Sequence, residues 1–537
     1  MKIVPGEIVR LFQVTKWGRA AALLGCFISG MFYAAALPPL NWFFLAFITL
    51  PWLLLCCVWY GTRFRMLCGW VWGLGWSLFA YRFLREINPV LPFLLAPVIS
   101  LYPAVFAFFA GWVYRVITKN RKFPECSCFE VGIFTFAAAA FFMLTEFLRC
   151  KLFVWNDFSV TVWQIPQLMQ IAYYTGRYGV NFLVALLNGA VFALFFKRGR
   201  IITAGIVILA IAVYFHGMYR MTGKLDPAKT VTLKCALIQG NLPQQRLATE
   251  QAVLESLKIY TGLSARLLQK EKADLLLWPE CAIPIPLRGG SFLAETYRRS
   301  LGTLLGTPML IGTLDFTVDN KMTNSALFID RNGSISGKYD KFHRVPFGEY
   351  VPFRQVLPEM MIRYFDMGRD LEAGCSMMPL KISPDVKMGT AICYEGVFSY
   401  LASGFARNGA NVLAALSNDV WYPESSEPEQ HLANAVMRCV ETGLPMIRCG
   451  NNGGSGVVNR FGVFTQYIGS RNVLRPELLR EQAAGIVTVE FERLPELSPA
   501  VRMENCFVYL IMFLLGVAIM SFLYRNRVGK TCKTVRK

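Results

Sequence analysis

Three side chains sit where short apolar runs end, and together they could attack a carbonyl carbon: Glu280 in LLLWPE, Lys341 in KYDK and Cys393 in AICYE. A free thiol is only slightly ionised near neutral pH, so a nucleophilic cysteine needs a base or a neighbouring cation. Glu280 could take the thiol proton and later return a proton to a leaving group. Lys341 could lower the thiol pKa and stabilise the oxyanion of a tetrahedral intermediate. Each residue also has a plainer reading. A cysteine ending an apolar strand usually packs in a core, a glutamate after Trp-Pro can cap a helix, and a single lysine is usually solvated. His343 and His431 are the rival partners for a Cys–His pair, although no cysteine-protease signature surrounds Cys393. Residue types alone leave the choice open.

The segments that carry these residues alternate in period. VTLKCALIQ (231–239), DLLLWPE (274–280), PMLIGTLDF (308–316), VKMGTAICYE (386–395), ANVLAALSND (410–419), MIRCG (446–450) and GIVTVEFE (485–492) read as strands. Helical patterns span about 249–271 and 429–442, and SALFID with SISGKYDK predicts a hairpin around Asn332-Gly333. Strands alternating with helices, hairpins included, predict a layered α/β fold with mixed sheets. Loops at strand ends are where such folds place chemistry.

The rest of the 537-residue chain is of another kind. Hydrophobic residues make up 54% and charged ones 17%, an apolar excess for a soluble protein. Seven apolar spans are expected near 20–37, 42–60, 66–84, 90–115, 131–149, 178–196 and 201–218, with an eighth near 504–524. This divides the chain into a membrane domain (1–218), a globular domain (219–503) and a last span with a basic tail (504–537). More spans follow the first, so it is not read as a cleavable signal peptide. The formal charge of +20 does not point to nucleic acid, because Lys and Arg cluster between apolar runs. Lys16 and Arg19, Arg63 and Arg65, Arg115 to Lys122, Lys197 to Arg200 and the tail from Arg525 all fall on one side of an eight-span chain. By the positive-inside rule that side is cytoplasmic, which delivers the globular domain to the opposite face; Arg82 and Arg85 run against the pattern. Glu146 and Arg149 lie three apart, and the expected reading is an interfacial ion pair beside the aromatic run 153–157. Cys126 and Cys128 form only a CxC, no pattern for zinc. Residues 351–365 hold more apolar side chains than a soluble loop tolerates, as a lid dipping into lipid would.

LLLWPECAIP, KYDKFHRVPFGEYVPF and AICYEGVF, in that order, resemble the nitrilase superfamily. HRVPFGEYVP, LSNDVWYP and RCGNNGGSGVV, flanked by apolar spans, resemble more closely its membrane-embedded branch, the bacterial apolipoprotein N-acyltransferases. LPPLNWFFLAF, TEFLR and GVNFL are similar to that family's membrane half. The resemblance implies a bundle of about eight transmembrane helices plus an αββα sandwich with a Glu–Lys–Cys triad. It further implies transfer of the sn-1 acyl chain of a phospholipid, typically phosphatidylethanolamine, through a cysteine thioester. The acceptor would be the α-amino group of a diacylglyceryl-modified lipoprotein cysteine. By position, Cys393 would be the nucleophile, Glu280 the general base and Lys341 the oxyanion-stabilising cation. Glu349 would orient the lysine, Tyr394 would donate its backbone N–H to the oxyanion, and Glu395 would support the site. Asn418, Asp419 and Trp421 would contact substrate. Neither metal nor cofactor is implied, and the place is the bacterial inner membrane with the catalytic domain periplasmic. After QGN-x-PQ (239–244) the chain departs from the family by having Ala248 where a Trp is usual. A membrane-held amidase and a catalytically dead scaffold are the alternatives; the first leaves eight spans without a purpose, and the second should have lost part of the triad.

Overall fold

Runs such as ALI at 236–238 and LLLW at 275–278 are apolar on both faces of a strand, so the sheet they build must be covered twice. The computed structural model describes residues 15–118, 126–243, 249–287, 292–360, 362, 370–422, 425–469 and 480–534, and forms two units. The one spanning Gly223–Arg502 holds two six-stranded mixed sheets. Its strands are β1 (Thr230–Gln239), β2 (Leu275–Ile283), β3 (Met309–Phe316), β4 (Met322–Ile329), β5 (Ile335–Asp340), β6 (Leu380–Ser383), β7 (Val386–Ile392), β8 (Val412–Ser417), β9 (Met446–Gly450), β10 (Gly456–Val458), β11 (Phe464–Tyr467) and β12 (Ala483–Glu492). The sheet orders are β12-β1-β2-β3-β4-β5 and β11-β10-β9-β8-β7-β6. Within them β1–β2–β3 and β7–β8–β9 run parallel.

Helices Glu250–Lys270 and Phe292–Leu305 cover the first sheet. Alternate residues Ala236, Ile238, Leu276, Trp278, Met309 and Ile311 form one core with Tyr260, and the Trp278 indole N–H donates to Ser264 Oγ at 3.0 Å. The opposite face meets the second sheet, where the Cys449 thiol lies 3.4 Å from the Leu277 carbonyl and 3.6 Å from that of Ile238. Helices Ser399–Arg407 and Glu427–Thr442 pack against the second sheet's side of the layer. The order is therefore helices, sheet, sheet, helices, the αββα sandwich expected.

Several expected boundaries differ. β2 continues past Glu280 to Ile283, with a register shift against β3 after Trp278. Pro279 has no N–H to offer the ladder, and Cys281 is left-handed at φ +49°. β7 stops at Ile392, because Cys393 turns the chain into a 3-10 turn over Cys393–Val397. Helix Phe292–Leu305, helix Ser399–Arg407 and the short strands β6, β10 and β11 had no separate expectation; the strands are three or four residues long, too short for a period to show. Cys235, Cys281, Cys375, Cys439 and Cys449 are all free thiols.

The other unit runs to Thr222 and resumes at Met503. Among the described residues, five of its helices are long and apolar enough to cross a membrane: Lys16–Ala36, Leu91–Thr118, Cys128–Leu152, Gly199–Met221 and Cys506–Tyr524. The other three expected spans fall on segments that do not meet that measure. Thr62–Ala80 carries Arg63 and Arg65, Phe43–Trp59 is broken into a 3-10 turn and a short helix, and Arg177–Ala193 has 17 residues. The expected Glu146–Arg149 ion pair is present and buried within protein. The guanidinium donates to Glu146 at 3.0 and 2.8 Å and to the carbonyls of Phe153 and Trp155 at 3.1 and 3.0 Å. It also meets the Tyr81 hydroxyl at 3.3 Å and lies over the Trp76 ring. A charge this deep persists only because its donors are used.

Gly312 on β3 faces the irregular part of β2: a Cβ there would stand 2.2 Å from the Pro279 carbonyl oxygen and 2.6 Å from the Cα of Glu280. Gly312→Ala must push β2 away, at a cost of about 1–3 kcal/mol. Thermal melts of the detergent-solubilised chain should therefore show a midpoint lower by several degrees; an unchanged midpoint would mean that β2 has slack here.

Candidate active site

Lys341 follows β5, and its backbone N–H donates to the Asn324 carbonyl of β4 at 2.8 Å, so the sheet itself aims the side chain. The ammonium is almost wholly buried and lies 2.9 Å from Glu349 Oε1 and 3.3 Å from Glu280 Oε1. Asn324 Nδ2 donates to the same two oxygens, at 2.8 Å each. One amide and one ammonium thus hold two carboxylates together. Glu349 Oε2 is tied separately to the Val345 N–H at 2.8 Å. Burial disfavours the charged lysine, but Glu349 first and Glu280 second outweigh it and hold its pKa well above the ordinary value.

Cys393 opens the 3-10 turn after β7 with φ +52°, a left-handed backbone that costs a residue with a Cβ about 1–2 kcal/mol. Burial pushes the thiol well above its usual pKa, the Glu280 carboxylate adds to this, and Lys341 opposes it. The resting form is therefore the thiol. Both protein contacts to Glu280 use Oε1, which leaves Oε2 for a proton.

Glu395, fully buried, joins the two halves. Its carboxylate accepts from the N–H groups of Phe342 (2.6 Å), His343 (2.9 Å) and Ile392 (2.8 Å), and from the Tyr339 hydroxyl (2.9 and 3.0 Å). The two residues after Lys341 and the residue before Cys393 are thereby pinned to one side chain. Tyr394 and Trp421 are half-buried close by in sequence, and Tyr394 packs edge-on to Phe398 at 4.9 Å.

Asp419 is buried and turned inward, with one oxygen 3.0 Å from His431 Nδ1 and the other accepting from Arg448. Asn418 accepts from Asn451 Nδ2 at 3.1 Å. Neither rival histidine is turned to act as a base. His431 Nε2 is 3.0 Å from the carbonyl oxygen of Cys393, so both ring nitrogens are engaged. His343 packs on Phe398 at 3.9 Å with Nδ1 on the Tyr400 hydroxyl, and burial with Lys341 lowers its pKa to about 4.

Asn324 went unread in the sequence, where it stands between Thr323 and Ser325 at the polar start of β4. Asp419, Glu427 and His431 bring three ligating atoms within 4.8 Å, yet Arg448 sits on the same carboxylate, which suits a cation poorly. Cys26, Cys56 and Cys68 form a second such group, buried in the helical unit. What the Glu280–Lys341–Cys393 arrangement can do is covalent catalysis by a thiol, with a carboxylate for its proton and a fixed ammonium for the negative charge that follows.

Comparison with known proteins adds to this. A family model described as carbon-nitrogen hydrolase matches residues 234–470, and one described as apolipoprotein N-acyltransferase N-terminal domain matches residues 29–190. The chain is 30% identical over 380 residues to a Geobacter metallireducens protein named apolipoprotein N-acyltransferase, covering 69% of this chain and 70% of that one. An Allorhizobium ampelinum protein of the same name is 29% identical over 481 residues, covering 84% and 87%. Among solved structures, a carbon-nitrogen hydrolase from Helicobacter pylori aligns at 15% identity and TM-score 0.34, covering 48% of this chain and 89% of its own.

Burial raises the Glu395 carboxyl from 4.5 to about 7, against opposing N–H groups, Lys341 and Tyr339. Between those values the folded chain keeps a proton that the unfolded chain has lost. Stability from this group is full below the interval and falls as pH rises through it. The melting midpoint of the wild type should drop between about pH 5 and about pH 7 more steeply than that of Glu395→Gln, which cannot titrate. The variant should also be less stable throughout by about 1–3 kcal/mol, because its amide turns a donor toward donors. Parallel slopes would contradict the assignment.

Proposed function

Because the chain belongs to the apolipoprotein N-acyltransferase family, we propose that it moves the sn-1 acyl chain of a phospholipid, phosphatidylethanolamine for preference, onto the α-amino group of a diacylglyceryl-cysteine at a lipoprotein N-terminus. The observation that carries this is the buried Lys341 ammonium, held between Glu280 and Glu349 at the cysteine that turns left-handed after β7.

In the first half-reaction Glu280 takes the Cys393 proton and the sulfur adds to the ester carbon. The oxyanion is met by Lys341 and by the backbone N–H of Tyr394. Collapse breaks the ester C–O bond, Glu280 returns the proton to the leaving oxygen, and lysophospholipid departs from a thioester. In the second half the neutral amine of the lipoprotein adds to the thioester carbon and loses a proton to Glu280. The C–S bond then breaks, the amide remains, and Cys393 regains its proton. Glu349 and Asn324 keep Lys341 and Glu280 at fixed separation, and Glu395 sets the loops of Lys341 and Cys393 against each other. Asn418 and Trp421 border the site, while Asp419 acts from behind it.

Both substrates are anchored in lipid, which accounts for the apolar helices; eight spans with the catalytic domain on the periplasmic side of the inner membrane remain our reading of the basic links. Phe353, Val356 and Met360 are each about four-fifths exposed and are our candidates for lipid contact. Met361 and Phe365 of the same apolar run, like Ala248, lie outside the described residues.

Incubation with phosphatidylethanolamine followed by intact mass measurement should give a fatty-acyl adduct on the wild type and none on Cys393→Ala. Folded wild type without an adduct would refute the proposal. A second prediction separates acidity from catalysis. Glu280 raises the Cys393 pKa, so Glu280→Gln should lower it, with burial still holding it above the ordinary value. Iodoacetamide alkylation should then titrate at lower pH while acylation falls by about 10²–10⁴-fold. Acylation that survives in this variant would remove Glu280 from its role.

A further inference from the structure

His431 faces two acceptors. A carboxylate lies at Nδ1 and a peptide carbonyl at Nε2, each at 3.0 Å, and neither has a hydrogen to give. The ring can hold the carbonyl only through a proton on Nε2, and Asp419 then fixes the ring from the Nδ1 side. Asp419 is in turn held by Arg448, whose Nε donates to the Gly454 carbonyl at 3.2 Å. All three side chains are buried. Arg448 lies on β9, Asp419 just after β8 and Cys393 just after β7, so the chain of contacts ties together three neighbouring parallel strands at their carboxyl ends.

The carbonyl that His431 grips belongs to the peptide group joining Cys393 to Tyr394. In a trans peptide the C=O and the following N–H point in opposite directions and share one rigid plane. Holding the oxygen therefore fixes where the Tyr394 N–H points, and a donor on the oxygen polarises the amide and makes that N–H a stronger donor. We propose that His431, oriented by Asp419 and Arg448, is the positioning residue of the oxyanion site: it holds the left-handed peptide at Cys393 and so aims the Tyr394 N–H. This rests on the acyl-transfer reading above, in which that N–H meets the oxyanion.

Two substitutions divide the ring's two bonds. Asn at 431 can keep the Asp419 contact but falls short of the carbonyl; Gln can reach the carbonyl while giving up Asp419. With the full-length protein in phosphatidylethanolamine micelles, His431→Asn should slow single-turnover acyl-adduct formation by about 10²–10³-fold, the usual effect of losing one oxyanion donor. KM should change far less than kcat, because the bond matters most once charge develops. His431→Gln should recover most of the lost rate. Alkylation of Cys393 by iodoacetamide passes through no oxyanion and should be unchanged in both variants. The proposal is overturned if His431→Asn acylates at the wild-type rate, if Gln and Asn fall equally, or if alkylation falls along with acylation, which would mark general disorder of the loop. A wild type that is alkylated at Cys393 but never acylated would overturn the acyl-transfer reading instead.

Discussion

An ammonium removed from water needs negative charge around it, and the structure supplies two carboxylates to one Lys341. The effective penalty for burying such an ion is several kcal/mol, so losing either carboxylate should weaken the folded state. The excess is what gives the site its chemistry. With Glu280 and Glu349 ionised the pocket carries one net negative charge, and a thiolate added to it would make two. Moving the thiol proton onto Glu280 leaves the total unchanged. Under the proposed roles, proton transfer from Cys393 to Glu280 lets the sulfur become anionic without building charge in a buried space, and Lys341 couples the two groups electrostatically.

Position follows from the same economy of contacts. Lys341 belongs to the first sheet and Cys393 to the second, so the site lies where the edges of two layers meet. Glu395 spans that boundary, collecting N–H groups from residues beside both. From behind, the Arg448–Asp419–His431 series reaches the peptide of the nucleophile. A strained backbone at a cysteine survives when its surroundings over-determine it, and these two sets of contacts do so.

Much of this could be read from the chain because chemistry of this kind needs particular side chains at strand ends. Glu280, Lys341 and Cys393 stood out by type and position before their neighbours were known. The parts that stayed hidden depend on geometry that no pattern encodes. Asn324 reads as an ordinary strand residue until the sheet sets it between two glutamates. His431 reads as a rival base until its nitrogens are seen to face a carboxylate and a carbonyl. The left-handed turn at Cys393 cannot be told from CYEG, since a residue with a Cβ does not announce a positive φ as glycine does. In the helical unit eight apolar stretches are visible; among the described residues five form helices long and apolar enough to cross a membrane, and the other three are short, broken or charged.

The pairing of β1 with β12 has a consequence for how the chain is made. Ten residues of the first strand lie against ten of the last, from Thr230 opposite Glu492 to Gln239 opposite Ala483. Nearly the whole domain intervenes, and closing so long a loop is slow. During synthesis the opening strand must wait, its outer edge unpaired, until the closing strand emerges from the ribosome. An unpaired edge in a β-rich domain invites association with other chains. The sandwich is sealed only when its final strand arrives, so a nascent chain halted between residues 393 and 483 carries Glu280, Lys341 and Cys393 on an open sheet.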